Sequence, residues 1–380
     1  LNILGDEREN YYNAVTPSII QTSNFAFDTI EDLRKALKDE SSTSLYTRGI
    51  TPTIEILRKK MAALDEAEDA LIFSSGVSAV FMAVFPNVSA GDHIISVAKP
   101  YSWTTKLFND LLPRFNVTCT MIDGTKTENF EKAIQPNTKI IFLESPNTLT
   151  FELQDLEAVA RIAKSRGIIT IIDNSYCSPL FQKPYTMGID LVMQTGTKYT
   201  GGHSDTVAGI LTGSKEMIRK IFMSDYLNVG AIISPFNAWL LLRSLRTLDI
   251  RLNKIFSTTK EVIAAIEKHP KISRVIFPFH PSFPQYELAK KQMKDAGGLF
   301  TLVLNTDSIE KIEKFCENLE RFLIAVSWGG HESLVFPVCS GISKSDFDPE
   351  NENHRMVRVY IGLEDTAPLA EDLLKSLNSI

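Results

Sequence analysis

At 380 residues the chain is too long for one minimal domain, and on folding it should bury about three quarters of the surface its unfolded form exposes. A content of 44 % hydrophobic and 23 % charged residues excludes disordered and collagen-like classes. With 40 Lys and Arg against 46 Asp and Glu, the net charge of −6 argues against nucleic acid as a partner. No stretch approaches the roughly 18 continuous apolar residues of a membrane span, so no membrane partner is expected.

Residues 1–50 show little regular pattern and are expected to form an arm. From there short apolar runs alternate with amphipathic ones. Residues 70–73, 93–97, 117–122, 139–143, 168–172, 191–194 and 208–211 read as buried strands, with helical patterns over 53–64, 77–85, 104–112 and 156–165. Continuously apolar strands interleaved with helices predict an α/β domain, residues 51–245, built on a mainly parallel sheet with both faces covered. A long helix over 237–269 is expected to lead into a smaller C-terminal α+β domain, residues 246–380. The four cysteines, Cys119, Cys177, Cys316 and Cys339, form no C-x-x-C pair, and the six histidines supply no H-E-x-x-H. No metal site is expected. Reduced, mostly buried thiols and the lack of a basic-then-apolar opening predict a cytoplasmic protein without a secretory signal.

Ligands of parallel α/β sheets bind beyond the carboxyl ends of the strands, so the residues just after each strand matter most. The run 168–172 ends in Asp173-Asn174-Ser175, where the carboxylate either caps a turn or meets a partner charge. The next strand is followed by Thr195-Gly196-Thr197-Lys198, and a lysine there is either a surface turn residue or a desolvated nucleophile. Their 25-residue separation is one strand–helix–strand step, which puts amine and carboxylate at one edge of neighbouring strands. Pyridoxal phosphate needs that pair, the lysine for a Schiff base and the carboxylate to hold the ring nitrogen protonated. After residues 70–73 comes Ser74-Ser75-Gly76-Val77, equally a Ser-capped helix and an anion cradle. Thr195 and Thr197 can add hydroxyl donors to the same phosphate. Tyr46 and Arg48 in the arm are phosphate-binding types on a segment that is otherwise surface, and Tyr101 either stacks on a planar ring or packs as an ordinary tyrosine.

The motifs YTRGITPT (46–53), DNSYCSP (173–179), TKYTGGHSD (197–205), SWGGHESL (327–334) and RVYIGLED (358–365) stand in the order of one family. The chain resembles the pyridoxal-phosphate-dependent enzymes of cysteine and methionine metabolism: cystathionine β- and γ-lyases, cystathionine γ-synthase, methionine γ-lyase and the homoserine sulfhydrylases. The resemblance implies the aminotransferase-like fold type I, with Lys198 as the Schiff-base and catalytic lysine, Asp173 as the pyridinium partner and Tyr101 as the ring-stacking tyrosine. Gly76, Val77, Thr195 and Thr197 would hold the phosphate from one subunit, Tyr46 and Arg48 from its neighbour, implying a homo-oligomer of shared sites, commonly a tetramer. Ser327 and Arg358 match residues around the substrate carboxylate.

This sequence departs from the family around the substrate. Thr148 stands where the family has an Asn near the cofactor, with Asn147 one place early, and both are carried as substrate-binding candidates. Thr51 replaces an Asn, Trp103 a Gly or Cys, Trp328 a Leu and Tyr360 a Ser; Val326 stands where γ-synthases and many cystathionine γ-lyases carry Glu. The resulting expectation is a carbon–sulfur lyase acting on cystathionine, methionine or a related amino acid, releasing a 2-oxo acid and ammonia. A γ-replacement synthase or sulfhydrylase is the alternative. An aminotransferase would use the same amine–carboxylate pair with a second keto acid, and a non-enzymatic binding protein would tolerate the Thr148 and Thr51 departures.

Overall fold

The structure, a computed structural model, describes residues 3–380. Seven strands form the larger sheet: β1 (Asp69–Phe73), β2 (His93–Val97), β3 (Thr118–Ile122), β4 (Thr138–Glu144), β5 (Ile169–Asp173), β6 (Leu191–Thr195) and β7 (Gly209–Gly213). Their spatial order is β1-β7-β6-β5-β4-β2-β3, with β7 antiparallel to both neighbours and the run from β6 to β3 parallel. Successive side chains of a strand face opposite ways. Ile140 and Phe142 thus join the cluster under helix Gly76–Val84, while Ile141 and Leu143 join the one under helix Leu156–Ser165. This two-sided coverage is why the central strands read as continuous apolar runs.

The smaller sheet contains β8 (Ile272–Ile276), β9 (Leu299–Leu304), β10 (Leu323–Ile324), β11 (Leu334–Pro337) and β12 (Met356–Tyr360), in the order β10-β11-β12-β9-β8. Helices Leu248–Ile266, Ile309–Glu317 and Thr366–Asn378 bury their apolar stripes in one cluster with it. The fold is the expected α/β sheet followed by a smaller α+β assembly.

Two local expectations differ from the structure. The helix expected over 237–269 is broken into Pro235–Leu245 and Leu248–Ile266. Arg251 takes the Ser244 carbonyl through Nη2 at 3.1 Å, and the Ser244 hydroxyl donates to the Gly201 carbonyl. The last turn of the first helix is thereby tied to the loop after β6, and the chain changes direction at Thr247. The arm contains helix Ile30–Lys38, whose start is capped by the Thr29 hydroxyl accepting from Asp32 N at 3.1 Å. Its only buried residue is Ala36, and its apolar stripe of Ile30, Leu33 and Leu37 is left largely uncovered.

Candidate active site

After β6 the chain turns sharply under hydrogen bonds from Gly201 N to Gly196 O and from Gly202 N to Lys198 O, both 2.7 Å. Gly202 has φ +65°, where a side chain would strike the Arg251 guanidinium, which donates through Nη1 to the Tyr199 carbonyl at 2.9 Å. This turn presents Lys198. Its Nζ donates to Ser327 Oγ and lies 5.3 Å from the centre of the Trp328 ring. Ser327 at φ 72° and Gly329 at φ 92° fold segment 327–329 over the lysine. Burial first, then the positive charge of Arg358, lower the Lys198 ammonium to about 8, while Asp173 acts in the opposite direction. Arg358, on β12, donates through Nη2 to the Ser327 carbonyl at 2.9 Å and lies over the Phe336 ring. The sequence-predicted Lys198, Asp173, Ser327 and Arg358 are therefore brought to one place from four separate segments.

Asp173 ends β5 and is buried; its Oδ1 accepts Ser175 N at 2.9 Å. Burial raises its pKa. In register beside it, at the end of β4, stands a second buried carboxyl, Glu144. Glu144 accepts Tyr101 N and the Thr148 hydroxyl, each at 2.7 Å. Burial, and secondarily the charge of Asp173, push Glu144 up to about 8. The Asn147 side chain turns away into its own loop, accepting Glu152 N at 3.0 Å and the Thr150 hydroxyl at 2.9 Å while donating to Glu152 Oε2 at 3.2 Å. Thr148 is committed to Glu144 and Asn147 to residues 150–152.

Gly76 and Val77 open helix Gly76–Val84, where the first amides have no intrahelical acceptor. A Cβ on Gly76 would come within 2.7 Å of Thr195 Cβ, so only glycine lets this helix end meet the end of β6. Thr195 and Thr197 both donate to the Ala208 carbonyl, at 3.2 and 3.3 Å, which lines their hydroxyls along the same edge. Tyr46 and Arg48 sit together in the arm with the guanidinium 5.5 Å from the ring centre, and Tyr46 is exposed. Tyr101 and Val77 are also partly open to solvent.

Sequence reasoning passed over Glu144 and Gly329. Glu144 carried a legible signal, a carboxylate closing an apolar strand as Asp173 does. Gly329 carried none, because its contact with Lys198 joins residues distant in sequence.

A buried amine, a neighbouring buried carboxylate, an arginine and a helix-end anion cradle at one strand edge define the site of a fold type I pyridoxal-phosphate enzyme. The chain belongs to the Cys/Met metabolism PLP-dependent enzyme family, whose sequence profile matches residues 2–378. It is 36 % identical over 98 % of its length to an L-methionine gamma-lyase of Treponema denticola, covering 94 % of that protein. A cystathionine gamma-lyase of Macaca fascicularis is 34 % identical over 99 % of this chain and 92 % of its own. The crystal structure of metB from Corynebacterium glutamicum superposes with a TM-score of 0.92 at 30 % identity, over all of this chain and 96 % of that one.

The residues present fit pyridoxal phosphate. The helix amides and the Thr195 and Thr197 hydroxyls suit a phosphate, the Asp173 carboxylate suits a protonated ring nitrogen, and the lysine with its lowered pKa suits an aldehyde. Among the described residues no group of three or more His, Cys, Asp or Glu is arranged to hold a metal ion.

Proposed function

We propose that this pyridoxal-phosphate-dependent carbon–sulfur lyase removes the thiol of methionine-like thioethers by γ-elimination, converting methionine and water to methanethiol, ammonia and 2-oxobutanoate. The observation that carries this reading is the surrounding of Lys198 Nζ: the Ser327 hydroxyl, the face of Trp328 and the charge of Arg358. The bound cofactor supplies an electron sink for charge developing on the substrate carbons. Lys198 Nζ, lowered to about 8, accepts and returns a proton near neutral pH. The Ser327 hydroxyl holds that nitrogen in place. Arg358 would bind the substrate carboxylate as a planar two-pronged donor, and Asp173 would supply the negative charge that compensates a protonated ring nitrogen. Gly76, Val77, Thr195 and Thr197 anchor the phosphate.

Trp328 and Val326 choose the substrate tail. The indole, packed edge-on against Tyr199 at 5.2 Å, offers an apolar wall to a thioether. Val326, exposed to solvent, offers a distal ammonium no counter-charge where a Glu would supply one. Trp103 faces Lys106, 4.6 Å above its ring, and does not carry the reading. Similarity to several proteins named methionine gamma-lyase supports it, and similarity to lyases does not favour γ-replacement.

The same reading divides the chain into arm 1–50, cofactor domain 51–245 and C-terminal domain 246–380. It makes the protein a cytoplasmic homo-oligomer, at least a dimer and commonly a tetramer, with Tyr46 and Arg48 completing a neighbour's phosphate site. The uncovered apolar side chains of the arm, Val15, Ile30 and Leu37, and the free cysteines support this. The test is a panel of sulfur amino acids with product identification. Methionine and short S-alkyl substrates should compete well with cystathionine, and Val326→Glu should shift preference toward cystathionine. A hundredfold wild-type preference for cystathionine, unchanged in Val326→Glu, would overturn the tail assignment.

A further inference from the structure

Glu144 is a buried carboxyl that the reaction outlined above does not use. It closes β4 at the register position of Asp173, and each of its oxygens is engaged: Oε2 by Tyr101 N and Oε1 by the Thr148 hydroxyl, both at 2.7 Å. Tyr101 is where the chain leaves the loop after β2 and enters helix Ser102–Lys106, and no side-chain cap steadies that helix start. The hydrogen bond to Glu144 is therefore the tether of the Tyr101 backbone to the sheet. Thr148, on the loop after β4, completes a bridge from one strand-end loop to the other.

We propose that Glu144 is a positioning residue: its carboxyl clamps Tyr101 and Thr148 to the strand edge beside Asp173 and so fixes the position from which the Tyr101 ring would face the cofactor. The inference rests on the reading of Tyr101 as the ring-facing residue. Burial and the neighbouring Asp173 favour the neutral acid at Glu144, whereas the charge of Lys198 favours the ionised form at Asp173. A neutral Glu144 would leave Asp173 to carry the charge that a protonated ring nitrogen needs. A glutamine would preserve both contacts, with its oxygen accepting Tyr101 N and its amide donating to the threonine oxygen. Alanine would release both loops.

The experiment compares wild-type holoenzyme with Glu144→Ala, Glu144→Gln, Thr148→Val and Tyr101→Ala. It reads the dissociation constant for pyridoxal phosphate and the circular dichroism of the bound cofactor's visible band, which reports the ring's chiral surroundings. Glu144→Ala should weaken cofactor binding about tenfold and lose most of the visible dichroism. Glu144→Gln should recover most of both, and Thr148→Val should fall between. Should Glu144→Ala not fold, the glutamine and valine variants carry the comparison. Wild-type dichroism and affinity in folded Glu144→Ala, or a glutamine variant as impaired as alanine, would overturn the proposal. A Tyr101→Ala protein with unchanged dichroism would overturn the reading of Tyr101 as well, whereas an altered Tyr101→Ala beside an unaltered Glu144→Ala would sink the Glu144 proposal alone.

Discussion

Replacing Gly329 by alanine tests whether the segment folded over Lys198 sets the position of the reactive amine. Gly329 has φ 92°, and an added Cβ would lie 2.7 Å from Lys198 Cα and 2.9 Å from both its carbonyl carbon and its Cβ. These atoms are backbone or adjacent to it, so no flexible side chain can give way. Restoring an ordinary 3.4 Å contact needs a displacement of about 0.7 Å. Overpacking of this kind costs about 1–3 kcal/mol, and holding a non-glycine residue at positive φ adds about 1 kcal/mol. The expected stability loss is therefore about 2–4 kcal/mol. A displacement approaching 1 Å at a reacting group lowers the rate about a hundredfold. Gly91→Ala is the matched control, because its φ is 94° and an added Cβ meets nothing within 4 Å. It carries the backbone strain without the collision. Both variants are to be assayed for 2-oxobutanoate release from methionine and for thermal unfolding. The Gly91 variant should keep wild-type kcat/KM, and the Gly329 variant should lose about two orders of magnitude. A Gly329→Ala enzyme within threefold of the Gly91→Ala control would refute the argument that this contact fixes Lys198.

Borohydride treatment of the yellow holoenzyme should trap cofactor on Lys198, Lys198→Ala should lose that adduct, and peptide mapping that finds it on another lysine would overturn the assignment. Mixing inactive Arg48→Ala with inactive Lys198→Ala should restore part of the activity, since hybrid dimers regain one intact site; no recovery after demonstrated subunit exchange counts against shared sites. Stability should depend on pH through Glu144, raised from 4.5 to about 8 in the folded chain. Below about pH 4.5 both states hold the proton; between 4.5 and 8 the unfolded chain releases it first, so native stability falls as pH rises. In cofactor-free protein Glu144→Gln should therefore gain on wild type progressively across that window, most near pH 8. Parallel urea denaturation curves from pH 5 to 8 would sink this expectation.

Much of the protein was legible in its residues because the chemistry is concentrated where strands end. The apolar runs of the larger sheet, the Asp173–Lys198 spacing and the Ser75-Gly76-Val77 turn follow from local periodicity, and each lands at the expected edge. Sequence also showed the departures at Thr148, Val326 and Trp328, which a chain read one residue at a time displays directly. It could not show what those side chains touch. Thr148 turns back to Glu144, four residues earlier, in the turn that follows β4, and Asn147 turns into its own loop because residues 150–152 offer it three partners. At the break the Ser244 carbonyl accepts Thr247 N, the Thr247 hydroxyl and Arg251 Nη2, contacts that helical periodicity does not display. Gly329 against Lys198 and Ser327 beneath Arg358 are contacts between segments some 130 and 30 residues apart. Local sequence dictates which backbone a segment prefers; the meeting of two sheets dictates which distant side chains share a charge, a proton or an ångström of space.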